Sequence, residues 1–240
     1  MKGFFSGLRA PWRGLRQIWQ PGLRHYVLVP LAINAALFIA AMAWLMETLD
    51  STLRGWLPEW LAGLLYPVFA FALGLLTLLL TTQLANLLAA PFNNRLALRV
   101  ETLLGDPPAT IPERPLWAEV GFTLRSEGRR FLHFLGWALA LLVLGFVPVL
   151  GLLAPFGWLL LGAWLMTLQY LDYPLGLRGH DFPAQRRLLR RHLGFSIGFG
   201  FAAQLLHLLP GPNLLAMPAC VTAACVAWRH QEEMTKGERP

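Results

Sequence analysis

Residues 20–34 read QPGLRHYVLVPLAIN, and the rest of the chain is read outward from this stretch. Pro21 and Gly22 break whatever precedes them, and Gly22, Leu23, Arg24 and His25 are expected to open a new helix. From Tyr26 to Leu45 the chain carries no charge, a run of about the length that crosses a bilayer. The first N–H groups of a helix have no carbonyl four residues back to bond. Those of Gly22, Leu23 and Arg24 are therefore expected to point outward. A positive helix end, a guanidinium and an imidazole then meet at the mouth of a hydrophobic segment, which makes an anion site where a membrane would begin.

Composition agrees with a membrane chain. Of 240 residues, 56% are hydrophobic and only 14% charged, against about 25% charged in soluble domains. The formal net charge is +7. Only Lys2 and Lys236 are lysines, and the arginines stand beside apolar runs together with ten Trp. That placement suits lipid headgroups and argues against a nucleic-acid partner. Residues 1–20 are not expected to be a cleavable signal, because Arg9, Arg13 and Arg16 interrupt any apolar core. Phe5, Leu8, Trp12, Leu15 and Trp19 recur at helical spacing, which predicts an interfacial helix lying on the membrane.

Beyond the first span, Glu47, Asp50, Arg54 and Glu59 mark a mixed loop. Leu61 to Leu88 is a second long apolar helix, with Gln83 and Asn86 on one face. Pro91 allows a kink, and Arg95, Arg99 and Glu101 bring the chain out of lipid. Residues 106–115, DPPATIPERP, are a Pro-rich loop. Residues 116–133 are amphipathic, with a stripe of Trp117, Val120, Leu124, Phe131 and Leu132. The apolar run from Phe134 to Val147 is about 14 residues, short of the roughly 20 that spanning needs. Pro148, Gly151 and Pro155 follow, and Phe156 to Tyr170 is apolar again. The figure repeats as Phe195 to Leu209, a PGPN turn at 210–213, and Leu214 to Trp228. Two broken hairpins whose halves are too short to cross are expected to re-enter the membrane; four tilted full spans are the alternative.

The expected fold is thus an all-α integral membrane protein, a single membrane domain over 1–240. It comprises an interfacial helix at 1–20 and long transmembrane helices at 21–48 and 61–104. An amphipathic helix plus first re-entrant hairpin covers 116–173, and a second hairpin covers 184–230. Every Lys and Arg except Arg54 falls on one side of this topology. The positive-inside rule then places both termini in the cytoplasm.

Several chemistries are missing. Neither lysine stands in a Gly-Lys-Ser/Thr triplet, so no phosphate-binding Walker loop is present and coupling to ATP within the chain is not expected. HExxH and CxxC do not occur. Cys220 and Cys225 lie five apart in an apolar run and read as packing residues. No catalytic residue, metal or cofactor is expected. Carboxylates are nearly absent from the apolar segments, which favours a channel or facilitator over an ion-coupled carrier.

Five motifs keep the order and spacing of one family. These are QPGLRHYVLVPLAIN, ANLLAAPFNNRLA (85–97), FVPVLG (146–151), LMTLQYLDYP (165–174) and LLPGPNLLAMP (208–218). Together they resemble the CysZ family of bacterial inner-membrane sulfate permeases, over nearly the whole chain. The resemblance implies two long transmembrane helices, two hemi-penetrating helical hairpins and a homo-oligomer. It also implies sulfate transport for assimilation and cysteine biosynthesis. Sulfite and related oxyanions are further candidate substrates.

The resemblance places sulfate at the Gly-Leu-Arg helix start, which here is Gly22, Leu23 and Arg24. His25 stands where relatives often carry a second Arg. A neutral imidazole offers one donor and no charge, a protonated one two donors and a charge, so affinity is expected to depend on pH. The competing reading is that Arg24 only anchors the helix at the interface. Asn34, Gln83, Asn86 and Asn93 are candidates to line a polar path, although amides in membrane helices also bond neighbouring helices. The alternative function is a membrane-shaping or scaffold protein that transports nothing.

Overall fold

The computed structural model describes residues 3–56, 58–105, 116–209 and 211–237, and side chains within them except at 53, 54, 62, 82–91, 116–127 and 231–237. The described residues are helical and contain no strand. They cluster into two units, Arg24–Asn93 and Met1–Leu23 with Asn94–Pro240. The loop expected at 106–115 lies outside the described residues.

In the first unit, α2 (Arg24–Trp56) packs against the first part of α3 (Glu59–Leu103). At 1.5 Å per residue these helices run to about 50 and 68 Å. Leu49 packs on Tyr66, Ala70 and Leu73, and the Tyr66 hydroxyl donates to Met46 Sδ at 3.6 Å. Met42 Cε lies 3.4 Å from where a Cβ on Gly74 would stand. Rising numbers on one helix meet falling numbers on the other, so the pair is antiparallel. The outward residues are apolar: Ile39, Val68, Phe71 and Leu80 are all exposed. In lipid such a surface needs no cover. Exposed Trp56 and Trp60 flank the connection between the helices, as aromatic residues do at headgroup level.

The second unit is built by α1 (Gly3–Gln17), the end of α3, α4 (Leu116–Gly145), α5 (Ala154–Gly176), α6 (Phe182–Arg190), α7 (Leu193–Leu208) and α8 (Pro212–Gly237). α7 packs on α5, α8 and α1. Small residues make this possible. A Cβ on Gly200 would overlap the Ala163 carbonyl, one on Gly198 the Phe4 carbonyl, and one on Gly7 the Phe195 carbonyl. Close backbone approach replaces hydrophobic burial as the source of packing where lipid is the solvent. Thr167 Oγ1 donates to Ser196 O across this contact.

The interfacial helix has a second role. Its buried face is Gly7, Pro11 and Gly14, continued by Ile18, and it docks on α7 and α8. Phe5, Trp12 and Trp19, read as the membrane-facing stripe, are exposed on its other sides. α1 therefore carries two nonpolar surfaces, a small one for the bundle and an aromatic one facing out.

The first hairpin differs from its expected dimensions. The amphipathic stretch 116–133 and the apolar run after it form one continuous helix, α4, of 30 residues. The charges at Arg129 and Arg130 interrupt the apolar count without interrupting the helix. Among the described residues four segments are long and apolar enough to cross a membrane: Arg24–Thr52, Gly63–Thr81, Gly128–Gly145 and Leu150–Gly176. The architecture is that of an all-helical, multi-pass membrane protein. The premise that both halves of the first hairpin are too short is thereby corrected. α7, at 16 residues, remains short, about 24 Å.

Both hairpins turn on special backbone. Between α4 and α5, Val149 adopts φ 68° and leads into a 3-10 turn at Leu150–Leu153. Between α7 and α8, Gly211 takes φ +86° and Asn213 N–H donates to Leu209 O at 3.0 Å. Pro210 lies outside the described residues. α6 is capped at its start by Asp181, whose side chain accepts from Ala184 N–H at 3.0 Å.

Candidate functional site

The stretch around Gly22 is a turn followed by a helix. Gln20 N–H donates to Gln17 O at 3.0 Å, and Leu23 N–H donates to Gln20 O at 3.1 Å. Gly22 sits at φ +93°, a conformation that costs L residues and not glycine. α2 begins at Arg24, two residues later than expected. The Leu23 amide, expected to point outward, is thus spent on the turn, and its side chain is buried. The orphan N–H groups of the helix start are those of Arg24, His25 and Tyr26.

No acidic residue stands in the first turn of α2 to occupy them. Arg24 and His25 are exposed, and the His25 ring leans on Tyr26 with centroids 4.0 Å apart. Three amides, a guanidinium and an imidazole on one helix end can offer an oxyanion several donors at once. The amides are fixed before the ligand arrives and cost no side-chain ordering. Arg24 adds a charge-assisted, planar fork.

In the other unit, Arg99 on α3 brings its Nη2 within 3.7 Å and its Nε within 3.9 Å of where a Cβ on Gly22 would stand. The positive φ is what requires glycine here; at these distances a Cβ would only touch the guanidinium. The sequence counted Arg99 only among charges leaving the lipid. Nothing in its spacing pairs it with a residue 77 positions earlier.

The second-tier residues are placed as follows. Asn34 lies on α2 with Oδ1 buried and without a hydrogen-bond partner. Asn93 is 4% exposed, and its Nδ2 is also unsatisfied. Gln83 and Asn86 belong to α3, and their side chains lie outside the described residues.

Polar pairs between helices hold the second unit together. Glu101, at 0% exposure, accepts from Arg178 Nη2 at 3.0 Å, while Arg178 Nη1 donates to Pro174 O at 2.9 Å. This pair ties the end of α3 to the end of α5. Arg130 meets Asp172 at 3.1 Å, and Gln185 Nε2 donates to the same carboxylate at 2.5 Å. Arg186 donates to His133 Nδ1 at 3.2 Å, which leaves the imidazole proton on Nε2. His207 uses both nitrogens: Nδ1–H donates to Ala203 O at 2.8 Å, and Nε2 accepts from Tyr170 at 2.9 Å. His133 and His207 are therefore bonded parts of helix contacts. Cys220 and Cys225 are buried free thiols. Among the described residues no three His, Cys, Asp or Glu stand close enough to hold a metal.

Comparison with known proteins covers most of the chain. Residues 10–218 match the family model described as sulfate transporter CysZ/etoposide-induced protein 2.4. A sulfate transporter CysZ of Pseudomonas fluorescens is 38% identical over 93% of this chain and 92% of its own length. The protein of that name in Pseudomonas aeruginosa is 35% identical over 98% of this chain and 97% of its own. The one in Pectobacterium atrosepticum is 33% identical over 93% of this chain and 84% of its own. A match of this extent, in the order of motifs already noted, settles membership: the chain belongs to the sulfate transporter CysZ/etoposide-induced protein 2.4 family.

Proposed function

We propose that this chain carries sulfate across the bacterial inner membrane as a channel-like facilitator without its own ATPase, for assimilation into cysteine. It acts as a transporter and not as an enzyme. The observation that carries the reading is the start of α2. There the amides of Arg24, His25 and Tyr26 are followed at once by an apolar span, with two exposed basic side chains beside them. Sulfate is a dianion that needs several fixed donors, and this helix end has them. The relatives named as sulfate transporters support the choice of anion. Gly22 and Leu23 serve as the turn that aims the helix, Arg24 and His25 as the contacts. Asn34, Gln83, Asn86 and Asn93 line the polar path. Sulfite and related oxyanions share the donor requirement and are further substrates.

The positive-inside distribution puts both termini in the cytoplasm and the α2 start at the cytoplasmic face. The site then acts at the exit, or senses internal sulfate. The hairpins are read as re-entrant, in a homo-oligomer. The turn of the first hairpin supports this: Phe146, Val149 and Leu152 are 81%, 80% and 76% exposed. Such a tip would be costly in water and is at ease in lipid or against another subunit. The membrane-shaping alternative gains no support from the relatives.

Uptake of radiolabelled sulfate into proteoliposomes tests the function. Flux above empty liposomes is expected, with a strong loss for Arg24→Ala. Absence of flux in the unsubstituted protein defeats the function. Equal flux in Arg24→Ala defeats the site.

A further inference from the structure

A cleft of about 170 Å³ runs between α1 and α8, apart from the helix start described above. We propose that it holds the headgroup of an anionic, hydroxyl-bearing phospholipid of the phosphatidylglycerol type. Its floor is apolar, made by Ala10, Val226 and the buried ring of Phe195 from α7. Its polar edge is made by Arg13 and Gln17 of α1 and His230 of α8. Arg13 and Gln17 are four apart on α1 and so share a face.

Two features select the ligand. Arg13 calls for an oxyanion. Gln17 Oε1 is buried with no hydrogen-bond partner, so it calls for a donor. Free sulfate supplies the first and lacks the second. It would also leave the apolar floor uncovered. A phosphodiester whose headgroup carries hydroxyls supplies both, with its glycerol and first methylenes on Ala10 and Val226. An ammonium headgroup also has donors, but its positive charge meets Arg13, with Arg9 and Arg16 on the same helix. The exposed rings of Phe5, Trp12 and Trp19 hold α1 at the depth where headgroups lie.

Native mass spectrometry of the full-length, detergent-purified protein tests this. Phosphatidylglycerol, phosphatidylethanolamine and phosphatidylmethanol of equal chain length are titrated separately. Phosphatidylglycerol is expected to bind about fivefold more tightly than phosphatidylethanolamine, the effect of one basic residue near a membrane surface. Arg13→Gln should abolish that preference, and Arg9→Gln, outside the cleft, should retain it. Gln17→Leu should erase the preference for phosphatidylglycerol over phosphatidylmethanol, which has no headgroup donor, and keep the preference for anionic lipid. Ala10→Leu, which fills the floor, is a second route to loss should Arg13→Gln fail to fold. Equal retention of phosphatidylglycerol and phosphatidylethanolamine overturns the proposal. So does an unchanged preference in Arg13→Gln, or displacement of phosphatidylglycerol by millimolar inorganic sulfate or phosphate. None of these readouts depends on sulfate flux, so the lipid site and the transport reading fail separately.

Discussion

The buried pair of Glu101 and Arg178 should fail asymmetrically when it is cut. Glu101 is fully buried, and the Arg178 side chain retains 15% of its accessible surface. Arg178→Gln therefore leaves a carboxylate with no access to water. Glu101→Gln leaves a guanidinium that still donates to Pro174 O and still touches solvent. Removing one partner of a buried pair costs about 3–5 kcal/mol, most of it from the stranded charge. For a chain of this length that is on the order of 6–20 °C in unfolding midpoint. Arg178→Gln should lie near the upper end and Glu101→Gln near the lower. The double substitution strands no charge and should be less damaging than Arg178→Gln alone. The assay is thermal loss of the monodisperse chromatographic peak for the wild type, both single variants and the double variant. If the double variant costs the sum of the two singles, charge pairing does not hold α3 to α5 and the reasoning is refuted.

Three further outcomes are expected. Gly14→Leu should undock α1, because a Cβ there overlaps the Ala219 carbonyl and lies 2.8 Å from the Ala223 methyl; faster proteolysis within residues 3–20 reads it, and wild-type protection would contradict the packing. Gly22→Ala forces an L residue to φ +93° beside Arg99, a strain of about 1–3 kcal/mol; sulfate binding should weaken with little change in secondary structure by circular dichroism, and unaltered binding would remove the turn from the account. His25→Ala should weaken sulfate binding, because it removes an exposed ring donor from the helix start; unaltered binding would take His25 out of the site.

What the sequence disclosed, and what it withheld, follows from the range of each signal. Uncharged runs of bilayer length located α2 and α3, since spanning is a local property of length and hydropathy. The hairpin turns were visible as clusters of Pro and Gly. The continuity of α4 was not, because a helix persists through Arg129 and Arg130 while a hydropathy window stops there. The bundle face of α1 was missed because its members, Gly7, Pro11 and Gly14, carry no hydrophobic signal; in lipid, closeness of backbones does the work that apolar area does in water. At the candidate site, residue types were legible and register was not. The positive φ of Gly22 shifts the helix start to Arg24 and spends the Leu23 amide on the turn. Arg99 beside Gly22 and Arg178 on Glu101 are partners 77 residues apart in each case, far beyond any local pairing rule.

The most direct measurement is the position of a heavy oxyanion. The protein is soaked or grown with selenate, which has the shape and charge of sulfate, and its selenium is located by anomalous scattering. The account predicts a peak whose oxygens lie about 3 Å from the amides of Arg24, His25 and Tyr26, lost in Arg24→Ala. A peak elsewhere, with the start of α2 empty while the same preparation carries sulfate into liposomes, would contradict it.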